Sequence, residues 1–291
     1  MNLHLGRLLG IDVKVHWTFW LLPLLIIFSG NAGPLSVGMH LGLLFAMFGC
    51  VVMHEYGHAL TARRYGIRTR DVTLYPIGGV ANLERISEKP REELVIAIAG
   101  PLVYVAIVAV LVGAMFVKAS ISPILVDDGH LVFDRTDLFL SLLAWLNVGM
   151  ILFNMIPAFP LDGGRVLRAL LAFKYDRLRA TRIAVRVGTV LIFSLAILSF
   201  FFTGSIWLGI IGMFLYFAGQ REVAMLEYRD WLRRQAESEP SWQTMFENMF
   251  HRPNRNSDDA SSVDADDTFV WDPRSQAWVK RGHHEPPRHI V

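Results

Sequence analysis

The sequence predicts an all-α polytopic membrane protein with about six transmembrane helices, a short membrane-associated β-hairpin and a disordered C-terminal tail. Three observations predict it. Hydrophobic residues make up 53% of the chain and charged residues only 19%, where soluble domains carry about 25% charged, and mean hydropathy is +0.38. The apolar excess is gathered into long runs, so the bilayer is the natural solvent for most of the chain. Basic residues flank those runs alternately, at every second connection, as a multi-span topology requires.

Taken in order, the runs cover approximately 16–30, 36–62, 93–118, 137–157, 183–203 and 205–220. The first and last are short for a hydrocarbon core of ~30 Å, which takes about 20 helical residues. Arg7 and Lys14 precede the first run as they would in a secretory signal. Trp17, Phe19 and Trp20, and the lack of a small-x-small cleavage site, favour a retained span instead. Thr203-Gly204-Ser205 between the last two runs reads as a tight helical hairpin.

The connection after the second run carries Arg63, Arg64, Arg68, Arg70, Arg85, Lys89 and Arg91, and that after the fourth carries Arg165, Arg168, Lys174, Arg177, Arg179 and Arg182. The connections after the first and fifth carry no Lys or Arg. The third carries only Lys118 and Arg135, beside Asp127, Asp128, Asp134 and Asp137. This pattern predicts an integral membrane protein with cytoplasmic N- and C-termini.

Between the second and third runs, residues 69–84 alternate and break at Gly78-Gly79, which reads as a β-hairpin or re-entrant strand pair. Three segments are expected: a core over 1–222, an amphipathic or continuing helix over 223–235, and a mostly disordered cytoplasmic tail over 236–291. Within the tail, Phe269-Val270-Trp271 and Trp278-Val279 read either as a small hairpin or docking motif, or as incidental aromatics in weak structure. A net charge of +2, with basic residues not clustered among aromatics, leaves no nucleic-acid partner. Cys50 is the only cysteine, so neither an intrachain disulfide nor a cysteine-rich zinc knuckle can form.

The residues that carry chemistry begin with His54-Glu55-Tyr56-Gly57-His58. Positions i and i+4 share a helix face, so both imidazoles can reach one ion, and Glu55 is placed to take a proton from water held there. Two imidazoles and a carboxylate leave one open tetrahedral position on zinc. The setting makes the pattern specific: the residues lie in a membrane helix, where an ionisable group costs about 2.5–3.5 kcal/mol on insertion scales. The second element is Asn154-Met155-Ile156-Pro157-Ala158-Phe159-Pro160-Leu161-Asp162-Gly163-Gly164-Arg165. Its prolines stop the fourth helix. Asp162 then falls in an unwound segment beside glycines able to take conformations barred to other residues, as a third metal ligand, an N-cap, or both. His58 lies five residues before Arg63, about 7.5 Å of helix rise, and Asp162 three before Arg165. The two elements therefore share a depth beneath the cytoplasmic surface.

Together, these motifs resemble the site-2 protease family of intramembrane zinc metalloproteases. The start of the chain, Gly6-Arg7, Gly10-Ile11-Asp12-Val13 and His16-Trp17-Thr18-Phe19, is similar to the bacterial and archaeal branch without an inserted PDZ domain. Ile77-Gly78-Gly79-Val80-Ala81 resembles that family's membrane-associated hairpin, and Ala99-Gly100-Pro101 its third-span signature. The resemblance covers roughly residues 3–222. It implies one Zn2+ per chain held by His54, His58 and Asp162, with Glu55 as general base and Asn154 positioning substrate or orienting the site. It also implies a membrane-spanning or membrane-tethered regulatory protein as substrate, in a prokaryotic cell membrane. The chain departs from the family where Tyr104 stands in place of a frequent Asn, and its tail does not resemble the regulatory CBS pair, so nucleotide sensing is not expected. His16 and His40 read as interfacial anchors rather than ligands, and His283, His284 and His289 as solvated. A zinc carrier would repeat ligands along several spans, and a silent scaffold would have lost Glu55 or a ligand; this chain does neither.

Overall fold

The computed structural model describes residues 2–29, 35–76, 78–85, 87–121, 126–127, 130–131, 134–238, 269–272 and 277–280. The chain opens on a hairpin, β1 (Asn2–Leu8) and β2 (Ile11–His16), where sequence alone suggested only a flank to the first span. Ile11, Val13 and Val15 are buried while the residues between them are half-exposed, the alternation of a strand with one face on a core. A 3-10 turn (Trp17–Trp20) leads into α1 (Leu21–Ser29). The apolar stretch Trp17–Ser29 is about 20 Å long by helical rise, too short for a ~30 Å core.

Next comes α2 (Val37–Arg64), capped by the Ser36 hydroxyl accepting from Met39 N–H and closed by Arg63 and Arg64 in its last turn. A second hairpin follows, β3 (Thr69–Tyr75) and β4 (Gly78–Leu83), as the alternation at 69–84 led one to expect. It does not stand alone. β2 pairs with β3 in parallel, giving a four-stranded sheet in the order β1-β2-β3-β4. One face packs on α2: Ile11, Val13 and Val72 with Tyr56 and Ala59, and Val15 and Leu74 with Val51 and Phe19. A polar group ties three strands together: Lys14 Nζ donates to Asp71 Oδ2 at 2.7 Å, and Asn82 Nδ2 and Thr73 Oγ1 donate to Asp71 Oδ1. Partial burial pushes the Asp71 carboxyl up, but the hydrogen bonds from Lys14 and Asn82 outweigh it and hold the group below its ordinary value.

The remaining long helices are α3 (Pro90–Ile121), α4 (Arg135–Asn154), α6 (Arg177–Thr203) and α7 (Trp207–Ser238), with a short α5 (Asp162–Leu171) before α6. Between α3 and α4 lies a minimal strand pair, β5 (Val126–Asp127) and β6 (His130–Leu131). Among the described residues four helices, α2, α3, α4 and α6, are long and apolar enough to cross a membrane. The last apolar run forms the first half of α7, where Arg221 and Glu222 end the apolar stretch inside a continuous helix. Gly204, at φ 65°, closes α6 in the left-handed conformation and makes the short turn into α7.

Contacts divide the chain into Met1–Leu232 and Arg233–Val291. In the second unit β7 (Phe269–Asp272) pairs antiparallel with β8 (Ala277–Lys280), the hairpin alternative for the tail aromatics. The rest of the tail expected to be disordered lies outside the described residues.

In the first unit a buried ion-pair network braces α5. The Arg168 guanidinium, 1% exposed, donates through Nε and Nη2 to Glu93 Oε1 on α3 and through Nη1 to Glu222 Oε1 on α7, and it lies over the Phe159 ring. Removing one partner from such a buried pair typically costs about 3–5 kcal/mol. The network fixes the helix that begins with Asp162.

Candidate metal centre

Each side chain of the centre is delivered by an element with a local reason for its course. His54 and His58 project from one face of α2, one turn apart. α3 crosses them with a bare backbone: a Cβ on Gly100 would lie 2.2 Å from His58 Nε2 and 2.7 Å from His54 Cε1. Gly57 permits the same close approach from the α2 side, since its Cβ would meet the Ala99 carbonyl oxygen at 2.7 Å.

Asp162 arrives from the other side. α4 ends at Asn154, and residues 155–161, with Pro157 and Pro160 and a cis Phe159–Pro160 bond, fold back over the start of α5. Asp162 is the first helical residue there, not part of an unwound segment, and the N-cap is Leu161 without a side-chain bond. The expected reason for Gly163-Gly164 also changes. Neither has positive φ. They are glycines because the loop passes too close for a Cβ, at 2.3 Å from Met155 O for Gly163 and 2.7 Å from Ala158 C for Gly164.

The three side chains converge in the interior: His54 is 4%, His58 2% and Asp162 7% exposed. His54 Nε2 lies 3.1 Å from His58 Nε2 and 3.1 Å from Asp162 Oδ2, and His58 Nε2 lies 3.2 Å from Asp162 Oδ1. His58 Nδ1–H donates to the Ile96 carbonyl at 2.7 Å, which in the neutral ring leaves Nε2 a lone pair facing an anionic oxygen. Asp162 Oδ2 has no hydrogen-bond partner among the described residues. Lone pairs turned on one another in a buried site call for a cation. Zinc, with bonds of about 2.0–2.1 Å, sets tetrahedral ligand atoms about 3.3 Å apart, so the residues present fit it, with a fourth position left over.

The two imidazoles are oriented by different means. His58 has its Ile96 hydrogen bond, whereas His54 Nδ1 has no hydrogen-bond partner among the described residues. His54 is held instead by Tyr104, whose fully buried ring stacks on it at 4.5 Å and 28°. Sequence marked Tyr104 only as a departure from a family pattern; its place one helical turn after Gly100 was the available signal. Supporting partners of a ligand are commonly worth ten- to a hundredfold in metal affinity. Tyr104→Phe, which preserves the stack, should therefore bind zinc like the parent, and Tyr104→Ala should bind about tenfold more weakly. Competition against a chromophoric chelator measures both, and equal affinity for Tyr104→Ala would show the stack to be idle.

Glu55 is half-buried and points at the sheet: a Cβ on Gly79 of β4 would lie 2.7 Å from its Cγ. Asn154 is half-buried at the last position of α4, and its side chain makes no hydrogen bond among the described residues. Asn147, two helical turns before Asn154 and fully buried, escaped sequence reasoning; its Nδ2 donates to Leu143 O and reaches Cys50 Sγ at 3.6 Å.

The Peptidase family M50 profile matches residues 42–195, a stretch that includes His54, His58 and Asp162. The chain belongs to Peptidase family M50. It is 35% identical over 232 residues to a zinc metalloprotease of Methanocaldococcus jannaschii, covering 78% of this chain and 62% of that protein. It is 26% identical over 179 residues to stage IV sporulation protein FB of Bacillus subtilis, covering 61% of this chain and 54% of that one. The chain thus spans less than two thirds of the length of either relative. Its fold is similar to the solved site-2 protease from Methanocaldococcus jannaschii, with a TM-score of 0.53 and 33% identity over 77% of this chain and 95% of that one.

Proposed function

We propose that this M50 chain is an intramembrane zinc metalloprotease that hydrolyses peptide bonds of membrane-embedded or membrane-tethered regulatory proteins. The observation that carries the reading is the buried His54–His58–Asp162 cluster, whose two histidines lie with Glu55 on α2, a helix long and apolar enough to span a membrane. In this reading the chain crosses a prokaryotic cell membrane six times with both termini cytoplasmic; the first half of α7 supplies one of the two remaining crossings and the short stretch Trp17–Ser29 the other, the bilayer thinning locally to match its length. The alternation of basic flanks supports that topology.

His54, His58 and Asp162 would hold one Zn2+, which when bound supplies a Lewis acid that polarises a carbonyl and lowers the pKa of water toward about 7. The Glu55 carboxylate takes the proton from the attacking water and passes it to the nitrogen of the leaving strand. Burial of the cluster keeps bulk water from competing with the fixed donors. A peptide bond in a helix is shielded by its own hydrogen bonds, so the substrate must first be extended. The free edge of β4 offers unpaired backbone donors and acceptors for such a strand, next to Glu55. Asn154 positions the substrate or orients the site.

The test is cleavage of a single-span reporter co-reconstituted with the purified chain in vesicles. Stripping the metal with a chelator is expected to stop cleavage and added zinc to restore it. Undiminished cleavage by metal-free protein would refute the reading.

A further inference from the structure

Arg165 sits one helical turn after Asp162, half-buried, and makes no hydrogen bond and no ion pair among the described residues. Its neighbours on the same side differ: Arg168 and Arg177 both engage Glu93. Arg165 lines a cavity with Leu83, Ser87, Glu93, Ile96 and Ala97, between the end of β4, the start of α3 and α5. The one carboxylate in that lining, Glu93, is already engaged by Arg168 and Arg177, which leaves the partly desolvated Arg165 guanidinium able to bind another anion.

The sheet relates this cavity to Glu55. Along β4 the residues facing α2 are Gly79, against Glu55; Ala81, against the Tyr56 and Ala59 cluster; and Leu83, against Ala62, Ile67 and Ile96. Gly79 and Leu83 are four residues apart, about 13 Å of strand. β4 is an edge strand of its sheet. A peptide paired along that edge with its scissile bond at Glu55 reaches the Arg165 cavity about four residues away, on the flank toward Arg63 and Arg64.

We infer that Arg165 is a specificity residue that binds an acidic side chain of the substrate about four residues from the scissile bond, on its cytoplasmic flank. This rests on the proteolytic reading and on strand addition at β4. The chemistry is discriminating because cytoplasmic flanks of membrane spans are generally rich in Lys and Arg. Such flanks meet the Arg165 cation and are rejected, so the same residue attracts the correct strand and repels the common wrong one.

The experiment uses a reporter whose cleavage site has been mapped, carrying Glu, Gln or Lys at three to five residues from the scissile bond on the cytoplasmic side. The parent chain is expected to cleave the Glu reporter about tenfold faster than the Lys reporter, in kcat/KM, at low salt, with the difference shrinking as salt rises. Arg165→Glu should invert the order while retaining full zinc content, and Arg165→Gln should erase it. The parent's own choice between reporters needs no variant, so a poorly folding variant does not shelter the idea. Equal rates on the three reporters, or an Arg165→Glu chain that still prefers Glu, would overturn it while leaving proteolysis standing. If the zinc-loaded parent cleaves no reporter, the proteolytic reading falls and this one with it.

Discussion

Glu55→Gln is expected to lower reporter cleavage by roughly a hundred- to ten-thousandfold, the usual worth of a general base, while the chain keeps its zinc. The amide has nearly the shape of the carboxylate but cannot accept a proton. Shape matters at this position because the Glu55 side chain packs against the bare Cα of Gly79, so Gln can occupy the same space without disturbing β4. Glu55 is not one of the three clustered donors, which is why metal content should be unaffected. Both quantities are measured on the same purified protein, cleavage by reporter turnover and zinc by elemental analysis. Cleavage at the parent's rate would remove Glu55 from the mechanism, and loss of zinc would make it a ligand instead.

Gly100→Ala is expected to abolish high-affinity metal binding. The added methyl carbon would lie 2.2 Å from His58 Nε2, 2.5 Å from His58 Cε1 and 2.7 Å from His54 Cε1. These rings cannot step aside cheaply: His58 is tied to the Ile96 carbonyl and His54 is stacked on Tyr104. Nor can α3 retreat without breaking the Glu93–Arg168 pair near its start. The loss of affinity should exceed the hundredfold typical of an altered supporting residue, because the methyl group displaces the donor atom itself. Gly113→Ala on the same helix is the matched control. Its Cβ would meet nothing within 4 Å, and helix propensity favours Ala by about 0.8–1.0 kcal/mol, so zinc affinity should match the parent. A Gly100→Ala chain with parental affinity would mean that α3 does not pass where the structure puts it.

The metal cluster was legible because its signals are short-range or chemically rare. His54 and His58 are a turn apart, and an aspartate behind two prolines at membrane depth has few other uses. The β3–β4 hairpin was legible from alternation and Gly78-Gly79. The β1–β2 hairpin was not, although Ile11, Val13 and Val15 alternate plainly, because its place in a sheet depends on parallel pairing of Val13 with Val72, far along the chain. The aromatic and aliphatic residues after His16 read as a full-length span, whereas the helical stretch they form is shorter than a typical hydrocarbon core. Arg168 looked like one more basic flank residue. Its burial against Glu93 is a contact between residues 75 positions apart, invisible to charge counting along the chain. The reason for Gly163-Gly164 was equally hidden, since a close approach by Met155 and Ala158 leaves no trace in local propensity. Local chemistry is readable from residue order, whereas support for it from distant elements is not.

The central claim is that α2 and the start of α5 grip one ion between them. Zinc content of Asp162→Ala, purified alongside the parent and equilibrated at the same free zinc, tests it most directly. One zinc per parent chain and almost none in the variant is the predicted result; a variant that retains a full equivalent at parental affinity would contradict it.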